Sequence, residues 1–253
     1  AVAGDLLHLA TLRSQPPSVL RGPLGDEKRC AWSAPIPLDD IKALGRALGG
    51  TVNDVLLSAA AGATARYLRR RGEDPSGFDL RTVVPVNLRS PEQRHLGNYF
   101  GLVFLDLPLG FEEAQPRFVE LKRRMDRLKH SPEPYVLLQM MRATGGGPRW
   151  LEDLVVRFLG AKSTAVLTNV PGPRAPRYLA GERIRTVMFW VPQSGRVGLG
   201  ISVLSYAGEV RLGVSVDARV IPDPETLLEG FPAELEALRA AAGLAPPPPT
   251  VRA

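Results

Sequence analysis

The chain contains 253 residues, of which 44% are hydrophobic and 23% are charged. This composition supplies enough apolar side chains for a full core, which excludes an intrinsically disordered chain. The formal charge of +6 favours anionic partners, but the arginines are scattered among acidic residues and no run combines aromatic with basic residues. A nucleic-acid partner is therefore not expected.

Cysteine and histidine usage narrows the chemistry further. The single cysteine, Cys30, excludes an intramolecular disulfide and a cysteine-based metal site, and it fits a reducing cytoplasm. His8, His95 and His130 lack ligand-spaced companions, so no metal is expected. The sequence contains no stretch of about 18 apolar residues, so no membrane-spanning helix is predicted. The first residues lack both Met and a signal-peptide pattern, which suggests that the chain begins inside a longer protein.

The first part of the chain is predicted to contain a linker and one long helix. Residues 1–29 are expected to be the end of a helix and a Pro/Gly/Arg-rich linker, and residues 31–36 a strand. A short helix from Asp39 or Asp40 ends near Gly49. Thr51–Arg71 is predicted to form the longest early helix, because its apolar and small residues recur at helical spacing.

The remaining elements alternate without a strict strand–helix repeat. Strands are predicted at 80–88, 99–107, 164–168, 184–191, 199–204 and 210–216, and helices at 116–129, 135–142, 150–159 and 224–241. Residues 244–253 are expected to be a proline-rich disordered tail, which leaves 30–243 as the domain. This order indicates an α/β fold of the α+β type, with a mixed, largely antiparallel sheet covered by helices on one face and open on the other.

Standard catalytic signatures are missing from the sequence. It contains no Walker loop and no Gly-x-Ser-x-Gly segment. Polar residues instead stand at the ends of predicted elements: Asn53-Asp54 at a helix start, Asn87 at a strand end, and Thr168-Asn169 before a Pro-Gly-Pro turn. Helix capping, a strand exit and a tight turn would each explain one of these positions without any function.

Several segments together resemble one enzyme family. NDVLL (53–57), VPVNLR (84–89), LGNYFGLV (96–103), TNVPGPR (168–174) with YLAG (178–181), ISVLSYAG (201–208) and IPDPE (221–225) follow one another in the chain. They are similar, in the same order, to blocks of the C-terminal domain of bacterial wax ester synthases/diacylglycerol acyltransferases. That family belongs to the chloramphenicol acetyltransferase-like superfamily, so the resemblance implies a half-domain of that fold.

The resemblance implies an acyl-CoA-dependent O-acyltransferase that makes triacylglycerol from diacylglycerol or wax esters from fatty alcohols. Acyl-CoA is then a co-substrate, and no cofactor is expected. The family's His-His-x-x-x-Asp-Gly motif lies in an N-terminal half, and no two histidines are adjacent here. The second histidine of that motif is the general base, which the acceptor hydroxyl requires because its pKa is far above neutral. The expected partner is therefore an N-terminal half that carries this motif.

The resemblance also suggests roles for individual residues. Thr168 is expected to stabilise the oxyanion formed during attack on the thioester. Asn53 and Asp54 are expected to face the interdomain channel as a pair and to support the catalytic histidine by hydrogen bonding and by fixing the helix start. Asn169, Asn87 and Ser205 are candidate substrate-binding residues.

Two alternatives to this interpretation stay open from the sequence. One is half of a condensation domain that uses a carrier protein, and the other is a non-catalytic binding or scaffold domain. For the leading interpretation, lipid substrates imply peripheral contact with the membrane or with lipid droplets. The helix Tyr135–Met141, flanked by the basic residues of the preceding helix, is the predicted contact.

Overall fold

The computed structural model describes residues 14–89, 99–129, 131–145, 148–192 and 197–245. The strands in these ranges are β1 (Lys28–Trp32), β2 (Ile36–Pro37), β3 (Asp79–Asn87), β4 (Phe100–Pro108), β5 (Ala165–Pro171), β6 (Tyr178–Leu179), β7 (Glu182–Arg183), β8 (Leu199–Tyr206) and β9 (Glu209–Asp217). The helices are α1 (Leu38–Ala47), α2 (Val52–Arg70), α3 (Ala114–Lys129), α4 (Glu133–Gly145), α5 (Arg149–Lys162) and α6 (Pro224–Ala241).

The main sheet has the strand order β1-β9-β8-β5-β3-β4, and β2 also pairs with β9. β5 is parallel to both of its neighbours, β8 and β3, whereas every other pair in this sheet is antiparallel. β6 and β7 form a separate hairpin. The prediction of a mixed, largely antiparallel sheet with helices is confirmed.

Helix α2 lies at the centre of the helical layer. Every residue from Asp54 to Ala65 is buried, and most of them are alanine, glycine, serine or threonine. Small side chains let neighbouring elements approach closely, and α2 accordingly packs against α1, α3 and α6 and contributes to one core with the sheet. The position of α2 relative to the strands is therefore set by packing along most of its length.

A buried ion pair joins the helices of this layer. Glu234 of α6 accepts hydrogen bonds from Arg117 of α3 and from Arg66 of α2, the latter at 2.5 Å between Nε and Oε1. The side chains of Glu234 and Arg117 are 2% and 1% exposed. A Cβ atom on Gly62 of α2 would overlap both charged groups, so glycine is required where the pair crosses the helix. Burial lowers the pKa of Arg117.

Removing the buried carboxylate should destabilise the fold strongly. We expect Glu234→Ala to lower the free energy of unfolding by about 3–5 kcal/mol, because Arg117 would be left buried without its counter-charge. Urea unfolding followed by circular dichroism measures this. Glu229→Ala is the matched control: Glu229 is on the same helix, α6, its pair with Arg70 of α2 is exposed, and the loss of that pair should cost less than about 1 kcal/mol. Similar losses for the two variants would contradict this account.

The opposite face of the sheet is covered at its β3–β4 end. Val83 and Phe104 point away from the helical layer and pack against Val136 and Leu137 of α4. The backbone N–H of Phe104 donates to the Glu133 carboxylate at 2.9 Å. The expectation of helices on one face only is therefore wrong here, because hydrophobic spacing identifies an apolar helix face but not the surface that it covers.

The same packing corrects the predicted lipid contact. Val136, Leu137 and Leu138 of α4 are buried, so the apolar side chains of Tyr135–Met141 belong largely to the core. Tyr135 is 56% exposed, and Met140 and Met141 are half-buried. Among the residues that the structure describes, no helix combines the length and hydrophobicity that crossing a bilayer requires.

An extended segment covers the other end of this face. The sequence predicts a strand at 184–191, but residues 184–192 form no strand and cross over the sheet instead. The backbone N–H of Val191 donates to Ser202 Oγ at 3.2 Å, and Tyr206 Oη donates to the Ile184 carbonyl at 2.9 Å. The apolar pattern of the segment therefore reflects packing onto a sheet face rather than pairing at a sheet edge.

The residues predicted as a linker pack against the domain where they are described. Leu20 is 1% exposed, and Glu73 accepts hydrogen bonds from Ser18 Oγ and the Val19 N–H. β1 begins at Lys28, two residues before the predicted boundary at Cys30. The predicted helix end at residues 1–12 lies outside the described residues, as does most of the predicted tail, 246–253.

Candidate functional site

The site begins at the N-terminus of α2. Thr51 caps the helix: its Oγ1 accepts from the Asp54 N–H at 3.3 Å, and Asp54 Oδ2 accepts from the Thr51 N–H at 2.8 Å. This reciprocal capping box turns Asp54 inward, where it is fully buried. Asn53 stays exposed, because consecutive side chains of a helix point in different directions.

Strand β5 brings a second amide to the same place. Ala165 and Leu167 pack into the main core with the helices, so Asn169 continues on that face of the strand. Asn169 Nδ2 donates to Asn53 Oδ1 at 2.5 Å. This bond joins the NDVLL and TNVPGPR segments, which are 116 residues apart in the chain.

The turn after β5 is fixed to the end of β8. The Gly172 N–H donates to the Ser205 carbonyl at 2.9 Å, and the Ala207 N–H donates to the Pro173 carbonyl at 2.9 Å. A Cβ atom on Gly172 would overlap the Ser205 carbonyl oxygen, so this close approach requires glycine. The Pro-Gly-Pro turn therefore has a defined position beside the two asparagines.

These elements surround a cavity of about 540 Å³, a size typical of small-molecule sites. Its apolar walls include Leu56, Val203 and Val210. Its polar lining includes Asn53, Asn169 and Ser205. The charged residues that line it are Asp39, Lys42 and Arg174. The cavity thus combines an apolar interior with amides and with charges of both signs.

Five of the six residues singled out from the sequence divide between the two sides of the sheet. Asn53, Asn169 and Ser205 line the cavity on the helical side. Thr168 follows Leu167 and therefore points to the opposite face, half-buried, at the position paired with Ser202 of β8. Asn87 of β3 alternates with Val83 and lies on the same face as Thr168. Its Oδ1 accepts from the Arg89 N–H at 3.1 Å.

The structure separates Asp54 from Asn53. We expected the two to face one channel as a pair, but Asp54 does not line the cavity and its Oδ2 is used by the capping box. That expectation is wrong for Asp54, because its carboxylate reaches back to the Thr51 N–H and lies buried in the helical layer instead of at the cavity. The expectation that Asp54 fixes the helix start agrees with the observed hydrogen bonds.

The ladder between β3 and β5 ends close to Thr168. It consists of two pairs, Thr82 with Ala165 and Val83 with Val166, although both strands continue beyond them. β5 pairs with β8 from Ala165 to Pro171, and β3 pairs with β4 from Asp79 to Asn87, so beyond this short ladder each strand keeps only its other neighbour. Thr168 and Asn169, which point to opposite faces of the sheet, therefore lie on the part of β5 that is no longer hydrogen-bonded to β3.

The three charged residues at the cavity were not among the site residues predicted from the sequence. Lys42 Nζ donates to Asp39 Oδ1 at 2.8 Å and lowers the pKa of that carboxyl. Arg174 is exposed and forms no side-chain hydrogen bond or ion pair with the residues that the structure describes. Lys42 could not have been found, because its surroundings in the sequence are those of an ordinary solvent-exposed helix face. Arg174 could have been found, since it ends the TNVPGPR segment.

The sequence matches one known family over more than half of its length. The family described as the WS/DGAT C-terminal domain matches residues 96–239. The chain belongs to this family. A probable diacylglycerol O-acyltransferase of Mycobacterium tuberculosis H37Rv is 30% identical over 219 residues, which cover 85% of this chain and 47% of that protein. Wax ester synthase/diacylglycerol acyltransferase 10 of Arabidopsis thaliana is 29% identical, covering 85% of this chain and 50% of that protein.

Solved structures support the same fold. The wax ester synthase/diacylglycerol acyltransferase of Marinobacter aquaeolei VT8 superposes with a TM-score of 0.69 at 23% identity, covering 96% of this chain and 56% of that one. The epimerization domain of tyrocidine synthetase B superposes with a TM-score of 0.63 at 12% identity, covering 95% and 56%. At such identities both show the fold alone. The WS/DGAT chain spans about half the length of the curated relatives it matches.

The cap and the exposed asparagine should differ in their contribution to stability. We expect Thr51→Ala to lower the free energy of unfolding by about 0.5–2 kcal/mol, because it removes the side-chain cap of α2. Asn53→Ala should cost less than about 1 kcal/mol, since its bond to Asn169 is open to water. Chemical denaturation of both variants provides the measurement. A larger loss for Asn53→Ala than for Thr51→Ala would make Asn53 a structural residue.

Proposed function

We propose that the chain acts as the C-terminal half of an acyl-CoA-dependent O-acyltransferase, with diacylglycerol or a fatty alcohol as the acceptor. The observation that carries this proposal is the hydrogen bond between Asn53 and Asn169, which joins two family segments at the cavity. The relatives named diacylglycerol O-acyltransferase and wax ester synthase support the reaction class. The match to the WS/DGAT C-terminal family and to these relatives favours the acyltransferase over the carrier-protein alternative, because the solved structures of condensation-type domains share only the fold.

The reaction needs a general base from a partner. The acceptor hydroxyl must lose its proton as its oxygen bonds to the thioester carbon, and no adjacent histidines occur in this sequence. We assign the base to an N-terminal half that carries His-His-x-x-x-Asp-Gly. The tetrahedral intermediate then collapses, the carbon–sulfur bond breaks, and the protonated base returns its proton to the coenzyme A thiolate.

The residues of this chain would act from two sides. Asn53, Asn169 and Ser205 are proposed to orient the acyl donor in the cavity that they line. Thr168 is proposed to donate its hydroxyl to the oxyanion from the opposite face, close to the point where the β3–β5 ladder ends. Asn87, on the face of Thr168, is the remaining candidate for substrate contact. Asp54 would contribute indirectly by holding the start of α2.

Activity measurements test these roles. The chain is combined with an N-terminal half carrying the histidine motif and is assayed with palmitoyl-CoA and dipalmitoylglycerol or hexadecanol. Thr168→Val should lower kcat by about 10²–10³-fold if its hydroxyl is an oxyanion donor. Asn53→Ala should lower turnover about tenfold, or about 1.4 kcal/mol in the barrier, with little change in melting temperature.

Gln139 is an exposed polar residue of α4. The variant Gln139→Ala is the control for the effect of substitution itself, and it should leave turnover unchanged. Absence of product with the unsubstituted chain would refute the proposed reaction. Full turnover by Thr168→Val would remove Thr168 from the mechanism, and full turnover by Asn53→Ala at unchanged stability would reduce it to a residue of the helix start.

We also propose peripheral contact with a lipid surface, because both acceptors reside in lipid. Helix α5 fits this role better than α4: Trp150 and Leu154, four residues apart on one side, are 66% and 57% exposed. Arg157, one turn further along, adds a positive charge to this side. An apolar stripe with basic residues is typical of helices that lie in an anionic interface.

Flotation with anionic vesicles tests this contact. The amount of the Trp150→Ala/Leu154→Ala variant that floats with the vesicles should be at least several-fold lower than that of the unsubstituted chain, because the variant lacks the exposed apolar side chains. Phe111→Ala, which removes an exposed aromatic residue outside α5, should bind as before. Equal flotation of the α5 variant would exclude α5 as the lipid contact.

A further inference from the structure

The charges around the cavity are unevenly placed. Lys42 and Asp39 come from the first turns of α1, and Arg174 comes from the turn after β5. The other elements that line the cavity, the start of α2 and the β8–β9 turn, contribute the neutral residues Asn53, Ser205, Ala207 and Gly208. Two cations and one carboxylate therefore line the cavity, with a net charge of 2 − 1 = +1.

The carboxylate does not neutralise both cations. Asp39 accepts from Lys42 at 2.8 Å, and the charge of Arg46, one turn further along α1, also lowers the pKa of Asp39. Asp39 is therefore already balanced on its own helix. Lys42 has three N–H donors and keeps some of them for a ligand, and the guanidinium of Arg174 has no partner among the described residues. A fork of N–H donors of this kind suits a phosphate group.

The cations distinguish between the substrates of the proposed reaction. Diacylglycerol and fatty alcohols are uncharged and would gain nothing from Lys42 and Arg174. An acyl-CoA thioester carries phosphates at one end of an arm that contains amides and ends in an apolar acyl chain. The cavity offers the same sequence of chemistry, from the cations through Asn53 and Asn169 to the apolar walls.

Resting on the proposed function, we propose that Lys42 and Arg174 bind the phosphate-bearing end of the acyl donor. The donor then enters between α1 and the turn after β5, with its arm directed toward the Asn53–Asn169 bond. The neutral acceptor approaches from elsewhere. Lys42 and Arg174 thus determine which substrate takes this side of the site and discriminate phosphorylated from unphosphorylated thioesters.

Isothermal titration calorimetry at low salt tests the proposal on the 253-residue chain, with coenzyme A, dephospho-coenzyme A and pantetheine as probes. The unsubstituted chain should bind coenzyme A more tightly than pantetheine, and added salt should reduce the difference. Arg174→Ala should weaken the binding of coenzyme A about two- to fivefold and leave the binding of pantetheine unchanged, since an exposed charge contact is of this size. Arg174→Lys should recover part of the affinity.

A second variant and a control isolate the charge effect. Lys42→Ala combined with Asp39→Asn removes the cation and its carboxylate together, so that no unbalanced charge is left, and it should act in the same direction as Arg174→Ala. Arg69→Ala removes an exposed arginine from the far end of α2 and should change no affinity. The proposal is overturned if coenzyme A and pantetheine bind equally, or if Arg174→Ala behaves as Arg69→Ala does.

Two further measurements separate this inference from others. Vesicles containing phosphatidate provide the alternative source of a phosphate. If the chain binds these vesicles through Arg174 but does not bind coenzyme A, the assignment to the acyl donor is overturned. Arg174-dependent binding of coenzyme A without turnover supports the inference while the proposed reaction fails. If the enzyme turns over but Arg174→Ala lowers turnover with palmitoyl-CoA and with palmitoyl-pantetheine by the same factor, the reaction is supported and the inference is overturned.

Discussion

The Glu234 carboxylate holds the helical layer together. A buried charge is costly unless it is paired, and the two guanidinium groups that pair with Glu234 come from two other helices, α2 and α3. A shift of α3 relative to α6 would leave Arg117 and Glu234 unpaired inside the protein, and a shift of α2 would break the second pair of Glu234, with the half-exposed Arg66. Gly62 makes this arrangement possible, because any larger residue would fill the space of the two side chains. The relative position of α2, α3 and α6 is therefore fixed by charge as well as by shape.

The fixed position of α2 has a direct consequence at its other end. The helix is buried from Asp54 to Ala65, so its start cannot move relative to the strand ends without disturbing the core. The capping box uses Thr51 and Asp54 for the backbone, which leaves Asn53 as the polar side chain that emerges toward β5. The packing that stabilises the domain thus also places the amide that lines the cavity.

Much of this architecture could be predicted because it depends on local patterns. The long helix predicted at Thr51–Arg71 is observed at Val52–Arg70, and α6 matches its predicted bounds. Both helices could be predicted because the helical spacing of apolar residues and the residues at helix ends can be recognised in the sequence. The local sequence does not show which other part of the protein a segment packs against. The burial of Val136, Leu137 and Leu138 of α4 depends on a sheet face built by distant strands.

The site shows the same limit. Asn53 and Asp54 are adjacent and both polar, and only the helix geometry separates the residue that lines the cavity from the one that caps. Glu234 lies on a helix with several exposed acidic residues, and its buried position depends on Arg117, which is 117 residues away in the chain. The spacing of residues along the chain gives no information about contacts of that range.

The end of β5 is where the two halves of the proposed site can meet. Thr168 and Asn169 are consecutive and therefore point to opposite faces of the sheet, so one ligand can contact both only near the edge of β5. That edge is free of β3 beyond Val166, because the β3–β5 ladder stops there. A donor held at its phosphate end by Lys42 and Arg174 would run past the Asn53–Asn169 bond toward this edge. Its thioester carbonyl would then reach the side of Thr168 without passing through the hydrogen-bonded part of the sheet.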